Sequence, residues 1–316
     1  MRIDDACLDV YGVIGELARG GTSTVYLGQH TATGERVAIK ALDAFYVGHS
    51  EMVHRLLGEH ELAQRVSHPG LLEIRCAAQT SHGIPYVVME YLDGQSLGAL
   101  SERAPLPIGS ILAIAVQIAN AVAALHAGGV VHCDVKPDNV FVLNEPGEGG
   151  WPRVKVIDYG VARLADAPHC ENTVVGTPSF MAPEQWRGAP TPKSDVYAFG
   201  CVLYELVTGT PVFSGALPQL MTAHCERMPE RPSLRCPEID PELERLIVRA
   251  LAKDPGMRPT MADLGDALAR IAQVSPPYVP VPLAPPAFGR APTRRRIRDS
   301  FGEVSEGFAR RLEALG

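Results

Sequence analysis

A short loop of this chain carries three polar side chains at fixed offsets. Residues 132–139 read HCDVKPDN and contain a carboxylate at Asp134, an ammonium at Lys136 and a carboxamide at Asn139. Transfer of a phosphoryl group to an alcohol needs a base near the alcohol, a cation near the moving phosphate and an oxygen ligand for a metal ion. The loop therefore predicts phosphoryl-transfer chemistry.

Two motifs further along the chain strengthen this prediction. Asp158-Tyr159-Gly160 and Ala182-Pro183-Glu184 follow the loop in the order, and at about the spacing, that protein kinases use. With them, residues 10–272 resemble a bacterial eukaryotic-like (Hanks-type) Ser/Thr protein kinase. The resemblance implies an α+β, bilobal protein-kinase-like fold with a small β-rich N-lobe and a larger, mainly helical C-lobe. It also implies that ATP binds in the cleft between the lobes.

Hydrophobic periodicity agrees with a β-rich half followed by a helical half. Residues 25–27, 37–39 and 84–92 are typical of strands, and residues 51–66 follow the period of a helix that ends at His68-Pro69-Gly70. Later helical patterns cover 108–127, 195–208, 240–252 and 261–272. The apolar run from Ile111 to Leu125 is shorter than a bilayer requires, and it predicts a buried core helix.

Composition excludes several other classes of protein. The chain has 316 residues, 46% of them hydrophobic, and a net charge of −7, which argues against general nucleic-acid binding. Its seven cysteines form no CxxC pair, as expected for reduced thiols. The first ten residues lack an apolar run, so no signal peptide is expected. We therefore expect a cytoplasmic protein without a transmembrane span.

The expected domain boundaries follow from the same patterns. The N-lobe covers 10–93 and the C-lobe 94–272. A proline-rich linker covers 273–293, and a basic, amphipathic tail covers 294–316. Residues 300–316 of the tail could dock on a partner or on this chain, but a frayed tail or the stump of a longer protein fits equally well.

The resemblance implies a role for each polar residue of the C-lobe loops. Asp134 would orient the substrate hydroxyl and accept its proton, and Lys136 would steady the moving phosphate. Asn139 and Asp158 would hold Mg²⁺ (or Mn²⁺) through oxygen atoms. Tyr159 stands where the family usually has phenylalanine.

In the N-lobe, Lys40 would contact the phosphates of ATP and pair with Glu59 rather than with its neighbour Glu61. The glycine-rich loop departs from the family pattern, because Ala18 and Ser23 replace two expected glycines. Met89 would guard the back of the pocket. The residues that the resemblance assigns to nucleotide binding are Leu17, Gly20, Gly21, Val25, Ala38, Lys40, Glu90, Leu92 and Phe141.

The activation loop offers Thr173, Thr177 and Ser179 as phosphoacceptors, and Thr177 would contact Asp134 and Lys136. Cys133 occupies a position where many kinases carry an arginine that pairs with an activation-loop phosphate. We therefore predict that this pairing is weak. The resemblance assigns structural roles to three further residues. Glu184 would pair with Arg258, and Asp195 would bond to residues 132–139, which correspond to the catalytic loop of the family.

Three functions are compatible with these residues. The first is an ATP-dependent, non-specific Ser/Thr protein kinase that acts on protein substrates. The second is a pseudokinase or scaffold, which the altered glycine loop favours and the complete catalytic set opposes. The third is a small-molecule kinase of the aminoglycoside phosphotransferase type. It is opposed by residues 176–184, which resemble the substrate-docking segment of Ser/Thr kinases. The arginines at 294–298 are read as a solvated charge run rather than a specific nucleic-acid site.

Overall fold

A computed structural model describes residues 10–80, 83–145, 147, 150–167 and 175–283. These residues form two compact units. The first contains the described residues of 10–64 and 72–92, and the second contains those of 65–71 and 93–283.

The first unit is a five-stranded antiparallel sheet with one α-helix. The strands run in the order β1-β2-β3-β5-β4, and α1 packs against β3, β4 and β5. Val37, Ile39 and Val88 form a buried cluster within the sheet. The elements are β1 Tyr11–Arg19, β2 Ser23–His30, β3 Arg36–Leu42, α1 Ser50–Ala63, β4 Ile74–Gln79 and β5 Pro85–Glu90.

The second unit is mainly helical and carries two small sheets. One sheet pairs β6, β8 and β9, and the other pairs β7 with β10. The strands are β6 Gly94–Ser96, β7 Val130–Val131, β8 Val140–Leu143, β9 Arg153–Val156 and β10 Arg163–Leu164. The helices are α2 Leu97–Arg103, α3 Ile108–Ala127, α4 Pro192–Thr208, α5 Leu217–Glu226, α6 Pro241–Ala250 and α7 Met261–Val274. The predicted α+β class is confirmed.

Helix α3 is the centre of the second unit. Within the described part of the chain it is the helix whose length and apolar composition would allow it to cross a membrane, yet 67% of that stretch is buried in the protein. It packs against α4, α7 and β9. These surroundings are those of a core helix, as the sequence predicts.

The largest differences from the predicted helix boundaries are at the end of α1 and at the start of α4. Helix α1 ends at Ala63, before the predicted stop, and the side chain of Gln64 donates to the backbone carbonyl of Ile74 at 3.1 Å. Helix α4 begins at Pro192 rather than at Asp195, because Thr191 and Ser194 form a capping box. Asp195 therefore lies in the first turn and does not cap the helix.

Candidate active site

Asp134 lies between β7 and the 3-10 turn Pro137–Asn139, and it is buried. Its Oδ1 accepts hydrogen bonds from the backbone N–H of Thr177 at 2.8 Å and from the Thr177 hydroxyl at 2.7 Å. Its Oδ2 accepts a bond from the Nδ2 of Asn139 at 3.0 Å. A carboxylate that accepts several bonds keeps one orientation, so Asp134 is a pre-positioned acceptor.

The ammonium of Lys136 completes a triangle with Asp134 and Thr177. Its Nζ lies 2.7 Å from Oδ2 of Asp134 and donates to the Thr177 hydroxyl at 2.7 Å. The hydroxyl thus accepts a bond from the ammonium and donates its own proton to the carboxylate. Such an arrangement can hold an aliphatic alcohol with its proton facing a base and its oxygen beside a cation.

The two predicted metal ligands lie at the same end of the β8–β9 hairpin. The backbone N–H of Ile157 donates to the carbonyl of Asn139 at 2.9 Å, and Asp158 is the next residue. The Nδ2 of Asn139 also donates to the backbone carbonyl of Asp134 at 2.9 Å, so the amide oxygen is the atom available as a ligand. Amide and carboxylate oxygens suit hard divalent cations. The donor pair therefore fits the predicted metal.

The loop that contains Asp134 and the loop that contains Asp158 each have a strained backbone position. Cys133 at φ 65° and Asp158 at φ 69° are the non-glycine residues with positive φ in the described part of the chain. A left-handed backbone costs an L-residue about 1–2 kcal/mol. Such strain persists where surrounding bonds over-determine the conformation, and it is common at functional sites.

Asp195 supplies some of these bonds. Its Oδ2 accepts the backbone N–H of His132 and its Oδ1 that of Cys133, both at 2.8 Å. The His126 ring Nε2 also lies 2.8 Å from Oδ2. Asp195 therefore lies where the sequence placed it, bonded to the catalytic loop. His126 was missed, because a histidine near the end of an apolar helix carries no local signal of this contact.

The thiol of Cys133 is buried and is not accessible to a phosphate group. The residue is 3% exposed, and its Sγ donates to the carbonyl of Val131 at 3.6 Å. Burial raises its pKa well above that of an ordinary thiol. Cys133 is therefore a packed, protonated cysteine.

The segment around Thr177 is positioned by two residues that the sequence analysis did not identify. The Nε2 of Gln185 donates to the carbonyls of Cys133 at 2.8 Å and Val175 at 3.3 Å. Gly176 has φ +122°, and a Cβ there would lie 2.9 Å from the carbonyl oxygen of Cys133. The segment thus approaches the catalytic loop backbone to backbone, which requires glycine at this position.

Glu184 and Arg258 form a buried, bidentate ion pair, as predicted from the sequence. The Nη1–Oε1 and Nη2–Oε2 distances are 2.6 and 3.0 Å. The hydroxyl of Ser194 donates to the same carboxylate at 2.6 Å, and the guanidinium also donates to three backbone carbonyls. These bonds tie the end of the docking segment to helix α4 and to the turn that precedes α7.

In the first unit, Lys40 and Glu59 are brought together. Their Nζ and Oε1 atoms lie 2.7 Å apart, and Glu59 on α1 is buried. Glu61, the alternative partner, is exposed. Lys40 on β3 pairs with Val25 on β2, and cross-strand partners share one face of a sheet.

The predicted glycine-rich loop is the hairpin between β1 and β2. The backbone N–H of Gly20 donates to the carbonyl of Ser23 at 2.8 Å, and Gly21 is exposed with open space where a Cβ would be. Ser23 and Thr24 are buried, and the Thr24 hydroxyl donates to Oδ1 of Asp43 at 2.9 Å. This last bond, absent from the sequence prediction, fixes the hairpin to the chain after β3.

The other predicted nucleotide contacts are distributed over both units. Val25 and Ala38 lie on the sheet face that carries Lys40, as the pairings of β2 with β3 indicate. The remaining positions are Leu17 in β1, Glu90 at the end of β5, Leu92 after it, and Phe141 in β8 of the second unit. Among the phosphoacceptors, Ser179 lies in the 3-10 turn Pro178–Phe180, whereas Thr173 lies outside the described residues, as does the tail 294–316.

Comparison with known proteins gives one consistent result. The family model for the protein kinase domain matches residues 11–267. Serine/threonine-protein kinase Pkn1 of Myxococcus xanthus is 39% identical over 251 residues, which are 78% of this chain and 36% of that protein. Serine/threonine-protein kinase PkaA of Streptomyces coelicolor is 37% identical over 274 residues, with 81% and 49% covered. PknB of Mycobacterium leprae, also a serine/threonine-protein kinase, is 35% identical over 274 residues, with 84% and 43% covered.

These relatives are longer proteins, and this chain spans half or less of the length of each of the three. The match nevertheless includes every motif from the glycine-rich hairpin to Arg258, and the family model covers most of the chain. The chain belongs to the protein kinase domain family.

Proposed function

We propose that this domain transfers the γ-phosphate of ATP to serine and threonine hydroxyls of proteins. The observation that carries the proposal is the triangle of Asp134, Lys136 and Thr177, in which an aliphatic hydroxyl already sits between a carboxylate and an ammonium at 2.7 Å from each. A substrate serine presented to the same pair would have its proton oriented toward Asp134 and its oxygen toward Lys136. Threonine itself fits, so both acceptors are expected.

Each unit supplies part of the proposed chemistry. Lys40, fixed by Glu59, would bind phosphate oxygens of ATP. Asn139 and Asp158 would hold the divalent cation, Mg²⁺ or Mn²⁺, that neutralises charge on the phosphates. Asp134 would orient the acceptor hydroxyl and take its proton, which typically contributes about 10²–10⁴-fold to a rate.

The anchoring of the docking segment favours a protein substrate over a small alcohol. Residues 176–184 are held at Ala182, whose backbone N–H donates to Oε1 of Gln185, and at Glu184, which pairs with Arg258. A small alcohol needs no such platform, whereas a peptide needs a fixed surface beside the reacting hydroxyl. We further propose a cytoplasmic enzyme, because ATP is available there and the five cysteines in the described part of the chain are free.

The test is incubation of the purified chain with γ-labelled ATP, Mg²⁺ or Mn²⁺, and a generic basic protein, followed by phosphoamino-acid analysis. Label on serine or threonine that disappears in Asp158→Ala supports the proposal. If the chain binds the nucleotide but transfers no label to the protein substrate, the result would instead favour a scaffold that lacks turnover.

A further inference from the structure

The chain that follows α7 packs against α3 instead of leaving the domain. Residues 276–283 read PPYVPVPL, and four of these eight residues are proline. Proline fixes φ near −65° and favours an extended, polyproline-like backbone with few N–H donors. Composition alone therefore predicts a semi-rigid spacer, but this segment makes specific contacts with α3 and with Trp151, although most of its side chains are exposed.

The first contact is a pair of hydrogen bonds to one buried hydroxyl. The Oγ of Ser110, in the first turn of α3, donates to the carbonyl of Val279 at 2.6 Å. The backbone N–H of Val279 lies 3.4 Å from the same oxygen. Ser110 is fully buried. A buried hydroxyl needs hydrogen-bond partners, and the backbone of Val279, a residue that is itself 49% exposed, supplies both a carbonyl and an N–H.

The second contact is a close approach of two backbones at Gly109. A Cβ at this position would lie 2.3 Å from the carbonyl oxygen of Pro276 and 2.4 Å from that of Pro277. Real Cβ atoms do not approach backbone oxygens so closely. Glycine is less favourable than alanine in an α-helix, and here the missing side chain makes space for the proline pair.

The third contact is an aromatic stack. The rings of Tyr278 and Trp151 lie 6.2 Å apart with an interplanar angle of 12°. Trp151 is linked to α3 through its neighbour, since the Nε2 of Gln117 donates to the carbonyl of Pro152 at 2.7 Å. The Oε1 of Gln117 accepts the backbone N–H of Val154 at 3.2 Å. One helix therefore positions all three contacts.

We infer that Gly109, Ser110 and Trp151 form a docking site for an extended proline-rich segment, and that residues 276–283 of this same chain occupy it. The segment joins directly to α7, so its occupancy is intramolecular. The consequence is that the packed part of the second unit continues beyond α7 as far as Leu283. The inference does not depend on the proposed catalytic activity.

Hydrogen exchange on the full chain tests this site. The amide of Val279 is expected to exchange more than tenfold more slowly than an unstructured amide. Gly109→Ala should remove that protection, because its methyl group would overlap the carbonyls of the proline pair. Gly58→Ala is the matched control, since this glycine also lies within a helix and a Cβ there meets nothing within 4 Å.

Tyr278→Ala tests the site from the segment's side. It should shift the emission of Trp151 to longer wavelength and raise the exchange rate of Val279, while the amide of Leu268 in α7 stays protected. Three results would overturn the inference. The first is exchange of the Val279 amide at the unstructured rate in the unmodified chain. The second is unchanged protection of this amide in Gly109→Ala and Tyr278→Ala. The third is protection that increases with protein concentration, which would show that the segment binds a second copy.

Discussion

The hydroxyl of Thr177 donates to Oδ1 of Asp134 at 2.7 Å, although the two residues are 43 positions apart in the chain. The bond joins the catalytic loop to the docking segment, and Lys136 contacts both partners. In the proposed mechanism the substrate hydroxyl contacts the same two charged groups as Thr177, so changes at Thr177 should act on catalysis directly.

Thr177→Ala removes a hydroxyl that bonds to both charged groups. A hydrogen bond to a charged group contributes about 1.5–3 kcal/mol, so we expect phosphotransfer to fall roughly 10–100-fold. Thr177→Ser keeps the hydroxyl and should stay within a few-fold of the unmodified domain. Steady-state rates with a fixed protein substrate measure this difference. Equal rates for Thr177→Ala and Thr177→Ser would show that the Thr177 hydroxyl does not contribute to phosphotransfer.

The Lys40–Glu59 pair predicts that substitutions of the neighbouring glutamates, Glu59 and Glu61, have different effects on ATP binding and turnover. Glu59→Gln leaves Lys40 without its buried carboxylate and should weaken ATP binding or turnover by about tenfold or more. Glu61→Gln alters an exposed residue of the same helix and should have little effect. ATP titrations of both variants decide the point, and a comparable loss in Glu61→Gln would contradict the assignment.

Thr173 is predicted to be dispensable. With a buried thiol at Cys133 in place of arginine, an activation-loop phosphate lacks that pairing partner. Thr173→Ala should therefore keep most of the activity, measured after phosphatase treatment and again after incubation with ATP. Near-complete loss in both samples would show that a phosphate or hydroxyl at this position is required.

The Glu184–Arg258 pair is expected to contribute to stability. Arg258→Met strands a buried carboxylate, and breaking such a pair costs about 3–5 kcal/mol of unfolding free energy. Arg75→Met breaks the more exposed Arg75–Glu35 pair and should cost much less. Urea unfolding of both variants provides the comparison, and similar losses would show that burial of Glu184 is unimportant.

His224 predicts a pH dependence of stability. It is fully buried, its Nδ1 lies 3.0 Å from the hydroxyl of Tyr197, and burial lowers its pKa from 6.5 to about 3. Between pH 6.5 and 3 the unfolded chain binds the proton and the folded chain does not. Stability must therefore fall as the pH falls through this window.

His224→Phe should make the loss of stability below pH 6.5 shallower, as followed by thermal unfolding at several pH values. His54→Phe, at an exposed position of α1, is the control and should leave the pH profile unchanged. An unchanged profile in His224→Phe would show that carboxylates alone account for the acid sensitivity.

Local patterns predicted the residues that act within short loops. Asp134, Lys136 and Asn139 could be identified because their spacing is confined to one turn, and α3 because apolar residues fill most of its length. Gln185 and His126 could not be found this way, since each acts through a backbone or carboxylate far away in sequence. The packing of Val279 on Ser110 joins residues 169 positions apart, and composition alone indicated only a linker.

The most direct test of the central claim is single-turnover phosphotransfer with Asp134→Asn at saturating metal and ATP. The variant keeps the size of the side chain but removes the base, so the rate of label transfer should fall by about 10²–10⁴-fold while nucleotide affinity stays within a few-fold. A rate within a few-fold of the unmodified domain would show that Asp134 does not hold or accept the proton of the acceptor hydroxyl.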